Sequence, residues 1–286
     1  MIAVITPVYN GALSIQKSIN SLLNQTYTNW INIIVNDGST DDTYTILESL
    51  KNDDRFIIIH LNENKGRGYA RNIALNKAKD MAAKYMCMLD ADDVYHQAKL
   101  LEQFNYMEKN EHFVLSSSSI GVLNKKGLYR IYEVSNQEKF YLYSAYENLE
   151  IVPHASSIIR LDKVDVQFNT ELKFAEDQDF MRRLLIGKKY SFVPKILYYY
   201  NRNESFSISK YKKSLDANID SFTNLDVSSA FLKKMFFMNA LKIAIFSFLV
   251  GIGLEKIYYN KIGRKPTDSE IENYLYQKLA LNYDAQ

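Results

Sequence analysis

A chain of 286 residues, 47% hydrophobic and 24% charged, has the size and balance of a soluble globular protein with one large domain and an appendage. A formal net charge of +2 gives no electrostatic footprint for nucleic acid. The single cysteine, Cys87, excludes an internal disulfide and suits a reducing compartment.

Residues 2–6 are almost wholly apolar and read as a buried strand, closed by a turn at Pro7 and Gly11. The run is too short for a signal peptide and lacks a basic start, so a cytoplasmic protein is expected. Ile15, Ile19, Leu22 and Leu23 then recur at helical spacing. A second strand over 30–35 ends in Asn36-Asp37-Gly38-Ser39-Thr40-Asp41-Asp42, where Ser39, Thr40 or Asp41 would cap a helix over 43–50. A third strand over 56–61 leads through a polar loop, 62–68, into a helix over about 69–84. Strand and helix alternating through short connections predict an α/β fold with a mostly parallel, doubly wound sheet. No Gly-x-Gly-x-x-Gly follows the first strand, so a dinucleotide-binding fingerprint is absent.

The fourth strand, 85–89, delivers three acids, Asp90, Asp92 and Asp93, to its carboxyl end. Open α/β sheets place their ligand crevice there. Asp90 and Asp92 stand two apart and point the same way along an extended chain, and like charges held together invite a hard cation with oxygen ligands. A solvated acidic turn capping the next helix is the competing reading. Beyond Asp93 the rhythm loosens into a helix over 97–110, a strand over 113–117 and an irregular β-rich stretch over 121–143. A strand over 151–160 would carry His154. A helix over 180–186 would be entered from Glu176-Asp177-Gln178-Asp179, ahead of a late strand over 193–200.

From about residue 209 the composition shifts. Lys210, Lys212 and Lys213 precede a helical stretch, and 231–254 is nearly all apolar, interrupted by Lys233, Lys234, Asn239 and Lys242. A run of about 20 apolar residues would span a bilayer, but Lys242 and the glycines Gly251 and Gly253 argue against a clean span. A helix lying in the membrane surface, over 228–265, with its bases toward anionic headgroups is one reading. A helix packed on its own domain or in a homodimer is the other. A last helix starts near Thr267.

Five stretches resemble the motifs of family 2 glycosyltransferases with the GT-A fold. Thr6-Pro7-Val8-Tyr9-Asn10 is similar to that family's first strand end. Gln25 to Trp30 with Ile33 to Asp41 is similar to its nucleotide-binding signature, and 64–72 to its phosphate-side loop and helix. Leu89-Asp90-Ala91-Asp92-Asp93 resembles its DXD motif, and Glu176-Asp177 before Arg182-Arg183-Leu184 its acceptor-side catalytic motif. The resemblance covers about 2–207. It implies a catalytic domain over 1–208, with a nucleotide-sugar half (1–93) and an acceptor half (94–208), followed by a helical extension over 209–286.

By that resemblance, Asp37 accepts from the uracil N3–H of a UDP-sugar, Tyr9 lies on the base, and Pro7 and Asn10 shape the turn. A core position is the alternative for Tyr9. Lys65, Arg67 and Arg71 sit where cations meet a diphosphate. Asp90 and Ala91 lie at the ribose, and Asp92 with Asp90 holds Mn²⁺ or Mg²⁺. Asp177 is the expected general base of an inverting displacement, with Glu176, Asp179 and His154 at the acceptor. Two departures stand out: Asn36 replaces an acid of the usual signature, and no histidine precedes Ser205-Phe206-Ser207, leaving Arg202 as the cation there. The absence of a Gln-x-x-Arg-Trp motif implies one sugar added per encounter. The expected acceptor is a saccharide, lipid-linked or part of a surface polysaccharide precursor, at the inner face of the cell membrane. A nucleotidyltransferase, or a non-catalytic sugar-nucleotide-binding subunit, are the alternatives; the former wants a Gly-rich basic loop that 7–12 does not supply.

Overall fold

A computed structural model describes residues 1–135, 137–140, 152–201, 208–223, 225, 227–254 and 263–280. In chain order the elements are β1 (Ile2–Val8), α1 (Ile15–Leu23), β2 (Trp30–Asn36), α2 (Thr43–Glu48), β3 (Phe56–His60), α3 (Arg67–Asp80), β4 (Tyr85–Met88) and β5 (Val94–Tyr95). There follow α4 (Lys99–Lys109), β6 (Leu115–Asn124), β7 (Gly127–Tyr132), β8 (Lys139–Phe140), β9 (Ile158–Arg160), α5 (Glu176–Leu185) and β10 (Lys189–Asn201). Three helices complete the described chain: α6 (Ile208–Thr223), α7 (Ser229–Gly251) and α8 (Asp268–Ala280).

The sheet runs β3-β2-β1-β4-β9-β6-β10-β5, with β7 on β6 and β8 on β10. Its first four strands are parallel, and every residue of β1 and β2 is buried. Alternate side chains explain why. Ile2 and Val4 pack with Ile15, Ile19 and Leu22 of α1, while Ala3 and Ile5 pack with Ala70, Ala74 and Ala78 of α3. Covered on both faces, such strands read as continuous apolar runs. The second half is mixed: β6 and β10 are parallel, but β9 enters antiparallel between β4 and β6.

Several boundaries differ from those the sequence suggests. The third helix stops at Asp80, because Ala82 takes a left-handed backbone (φ 52°) that turns the chain into β4. Strand β6 is far longer than 113–117. Its serines, Ser116 to Ser119, are buried, and Ser117 and Ser118 bond the 153–157 segment. That segment is a loop with Ser157 Oγ donating to Pro153 O, so His154 sits on a turn and the strand shrinks to Ile158–Arg160. The acids 176–179 form the first turn of α5 itself. Of the irregular stretch 121–143, strands β7 and β8 are seen, and 141–143 lie outside the described residues.

The helical extension divides in two. Buried Arg182 of α5 donates to Ser221 Oγ and to Asn218 Oδ1 (2.7 Å) of α6 and stacks on Phe222. Helix α7 folds back on α6 through Asn239, which donates to Leu215 O, and through Tyr211 against Phe246. Helix α8 instead returns to the sheet: Tyr274 packs on Tyr199, and Gln277 Nε2 donates to Tyr95 O at 2.8 Å. Arg264, pairing backbone to backbone with Ile131, leads α8 there.

Candidate active site

Strands β1, β2 and β4 end side by side, and their tips carry the first residues of the site. Asp37, buried just past β2, accepts the backbone N–H of Lys65 (2.7 Å) on Oδ1 and of Gly66 (2.9 Å) on Oδ2. The carboxylate thereby fixes the loop entering α3, where free N–H groups and the helix dipole favour an anion. Gly38 makes that approach feasible: its φ is 68°, and an added Cβ would lie 2.4 Å from the Glu63 carbonyl carbon. Asn10, also left-handed, receives Thr40 N–H on Oδ1 (2.8 Å) and donates its own N–H to Ser39 Oγ (2.9 Å). Tyr9 is 50% exposed, so the core alternative for it does not hold. Pro7 is buried in β1, and Ala91 is half-buried beside the acids.

The acids after β4 divide by direction. Asp92 is exposed, and Asp90 is a third exposed. Asp93 turns inward, fully buried, accepting from the Tyr198 hydroxyl (2.6 Å) and from Asn201 N–H (2.8 Å). Burial, with Asp90 and Asp92 adding repulsion, pushes its carboxyl well above the usual carboxylate range. Asp93 therefore holds β10 to the acidic tip rather than facing the crevice.

Arg71 of α3 joins the tip of β4 to the start of α5. It is 3% exposed, its Nη1 donates to Glu176 Oε1 at 2.6 Å, and its Nη2 donates to Asp90 Oδ1 at 3.2 Å. Burial pulls the guanidinium down, but Asp90, Glu176 and Asp177 together outweigh it and raise it. The sequence suggests Arg71 as a phosphate-facing cation, whereas its two Nη atoms are committed to carboxylates. Lys65 and Arg67 remain at the exposed rim, Lys65 paired with Glu63 and Arg67 Nε 3.3 Å from Glu176 Oε1.

At the start of α5, Glu176 is buried under two arginines, and among the described residues its Oε2 has no hydrogen-bond partner. Asp177 is half-buried and accepts its neighbour Gln178 N–H at 2.8 Å. Asp179 is fully buried, with its Oδ2 paired to Arg183. His154 lies beneath the site with its ring edge-on to Phe168 and Phe180, not on an open wall. Burial, with Arg71 adding to it, lowers its imidazole to about 3, so it is neutral at ordinary pH. Arg202 lies outside the described residues. Sequence reasoning passed over the separate role of Asp93 and the partners of Arg71, Asp90 and Glu176, which come from segments far apart in the chain.

Among the described residues, no three Asp, Glu, His or Cys side chains are grouped so as to hold a metal ion between them. An exposed Asp92 with a partly exposed Asp90 suits a hard cation that takes one or two carboxylates and completes its shell with phosphate and water oxygens.

Residues 3–165, more than half the chain, match the family model described as glycosyl transferase family 2. The chain belongs to this family. Among curated relatives, the putative teichuronic acid biosynthesis glycosyltransferase TuaG of Bacillus subtilis is 40% identical over 108 residues, 37% of this chain and 42% of its own. The UDP-Glc:alpha-D-GlcNAc-diphosphoundecaprenol beta-1,3-glucosyltransferase WfaP of Escherichia coli is 39% identical over 113 residues, 40% of this chain and 43% of that protein. An uncharacterized glycosyltransferase of Rickettsia bellii is 38% identical over 128 residues, 45% of this chain but 18% of that one. The aligned stretch thus spans less than half of each of these relatives. In fold, this family 2 glycosyltransferase is similar to S. aureus TarS 1-349 in complex with UDP (TM-score 0.62, 23% identity, 82% of this chain and 69% of that one). It is likewise similar to the mannosyltransferase PcManGT of Pyrobaculum calidifontis in complex with GDP-Man and Mn²⁺ (TM-score 0.63, 12% identity, 100% and 88% covered).

Proposed function

We propose that this glycosyltransferase moves one sugar from a UDP-sugar to a hydroxyl of a saccharide acceptor with inversion at the anomeric carbon. The observation that carries the reading is the Arg71 bridge, which brings Asp90, on the donor side, and the Glu176–Asp177 turn, on the acceptor side, to one guanidinium. A base and a leaving-group site must flank one anomeric carbon for direct displacement. Asp177 takes the acceptor hydroxyl's proton as that hydroxyl's oxygen bonds to the anomeric carbon, and the bond from that carbon to the diphosphate oxygen breaks. Asp92 and Asp90 are the residues that would hold Mg²⁺ or Mn²⁺, and such an ion would supply positive charge against the departing diphosphate. Asp37 retains lone pairs for the uracil N3–H beyond the two amides it already accepts, and exposed Tyr9 is free to lie on the base. UDP is favoured because WfaP is named as using UDP-Glc and TarS was crystallised with UDP.

The acceptor in this reading is lipid-linked, at the cytoplasmic membrane face. Helix α7 has only Asn239 and Phe246 buried, and it exposes Phe236, Phe237, Leu241, Ile245 and Phe248 together with Lys233, Lys234 and Lys242. It is long and apolar enough to cross a bilayer, but its lysines suit an interfacial position on anionic lipid. Full-length protein is expected to sediment with anionic vesicles and not with neutral ones; absence of binding to both would remove the membrane reading.

The enzymatic reading is tested by thermal unfolding against a panel of nucleotide sugars with and without Mn²⁺. A ligand at about 100 times its Kd stabilises the native state by about 2.7 kcal/mol. The expected result is a Mn²⁺-dependent shift with UDP-sugars that Asp92→Ala abolishes. No shift with any nucleotide sugar would overturn the proposal.

A further inference from the structure

Asn36, the departure from the usual signature, sits 3% exposed at the end of β2, opposite His60 in the register of β3. Its Oδ1 accepts the N–H of Ser39 at 3.1 Å, which fixes the amide so that Nδ2 faces His60 Nδ1 at 3.0 Å. An amide nitrogen only donates, so Nδ1 must accept and the imidazole proton must sit on Nε2. That nitrogen lies 3.1 Å from Glu48 Oε1, a ready acceptor. Ser39 in turn takes Asn10 N–H on its Oγ, and Asn10 Oδ1 takes Thr40 N–H. A continuous chain therefore runs from Glu48 through His60, Asn36 and Ser39 to Asn10, next to exposed Tyr9.

We propose that His60 is a positioning residue for the nucleotide-base loop, acting through Asn36 by holding its Nε2–H tautomer. The role rests on the proposed binding of a UDP-sugar at Tyr9 and Asp37. An acid at position 36 would put a carboxylate oxygen against Nδ1 and demand a proton there. Asn36 removes that demand while keeping the acceptor for Ser39.

Two substitutions of His60 separate this role from packing. In His60→Asn the side-chain oxygen takes the place of Nδ1 and still accepts from Asn36. In His60→Gln the amide nitrogen takes the place of Nε2, preserving the Glu48 contact and losing the acceptor. The expected result is an unchanged donor KM in His60→Asn and a donor KM raised about tenfold in His60→Gln, with kcat kept in both, as follows from losing one part-buried hydrogen bond that supports donor binding in ground and transition states alike. The ¹⁵N spectrum of the full-length protein is expected to show His60 protonated at Nε2 alone, and Asn36→Asp to move a proton onto Nδ1. Equal KM values in the two His60 variants, or an Nδ1–H signal in the unsubstituted protein, would overturn the proposal. Should the protein use no nucleotide sugar at all, the proposed function fails separately, and the ¹⁵N spectrum still decides the His60–Asn36 arrangement.

Discussion

Removing Arg71 tests whether the tip of β4 and the start of α5 are joined as described. Arg71 and Glu176 are 3% and 2% exposed, and their contact is 2.6 Å. Breaking a buried pair by deleting one partner costs about 3–5 kcal/mol, because the other charge is stranded away from water. In Arg71→Met the stranded Glu176 keeps a contact with half-exposed Arg67 at 3.3 Å, which places the loss at the low end, about 3 kcal/mol. Glu176→Gln keeps an acceptor oxygen and leaves Arg71 with Asp90, so about 1–2 kcal/mol is expected. The double variant should lose less than the sum of the two, by about 1–2 kcal/mol, since the residues touch. Urea unfolding of the full-length protein at neutral pH, fitted for midpoint and slope, measures all four corners of the cycle. Additive losses, or an Arg71→Met loss below about 1 kcal/mol, would mean that Arg71 and Glu176 do not meet in solution.

Three further outcomes follow from the same geometry. Gly38→Ala should lose about 1–3 kcal/mol and weaken nucleotide binding, since φ 68° is strained for alanine and its Cβ would meet the 63–64 backbone; calorimetry with and without UDP reads both. His154, lowered to about 3, binds a proton more readily unfolded, so its contribution is full above about pH 6.5 and is lost as pH falls from there toward 3. His154→Leu should remove up to about 1.4 kcal/mol per pH unit of that slope, measured by unfolding at pH 6.5, 5.5 and 4.5. Tyr198→Phe takes a 2.6 Å donor from buried Asp93, costing about 1–3 kcal/mol at neutral pH. The carboxyl should rise further, so that penalty should shrink on acidification, and stability measured at pH 5 and 7 reads the difference.

The half of the fold that was legible is the half whose strands are buried on both faces. β1, β2 and β4 are runs of apolar side chains because α1 and α3 cover the two sides, and periodicity reports such burial directly. Most of β6 was hidden for the opposite reason: its core is a run of buried serines, of which Ser117 bonds Pro153 and Ser156 and Ser119 accepts from Val134, and polarity of that kind reads locally as a turn. The site divides the same way. The tips at Asp37, Asp90 and Asp92 could be placed from strand ends alone, whereas the fate of Arg71 depended on Glu176, 105 positions away. Alternation set Asp92 apart from Asp93, but the structural part of Asp93 was not legible, because its partners Tyr198 and Asn201 lie more than 100 positions on in β10.

Helix α5 shows why so much of the site converges on ten residues. Glu176, Phe180 and Leu184 follow one another four apart and are buried, so the stripe that fills the core also delivers Glu176 to Arg71. Asp179 and Arg183 form a second stripe, an ion pair at the same spacing. Gln178 and Arg182 form a third, and it faces α6, where Arg182 meets Asn218, Ser221 and Phe222. The α6–α7 hairpin thus packs on the helix whose first turn holds Asp177. In the proposed function, these contacts link a lipid surface at α7 through α6 to the helix that carries the carboxylate taking the acceptor's proton.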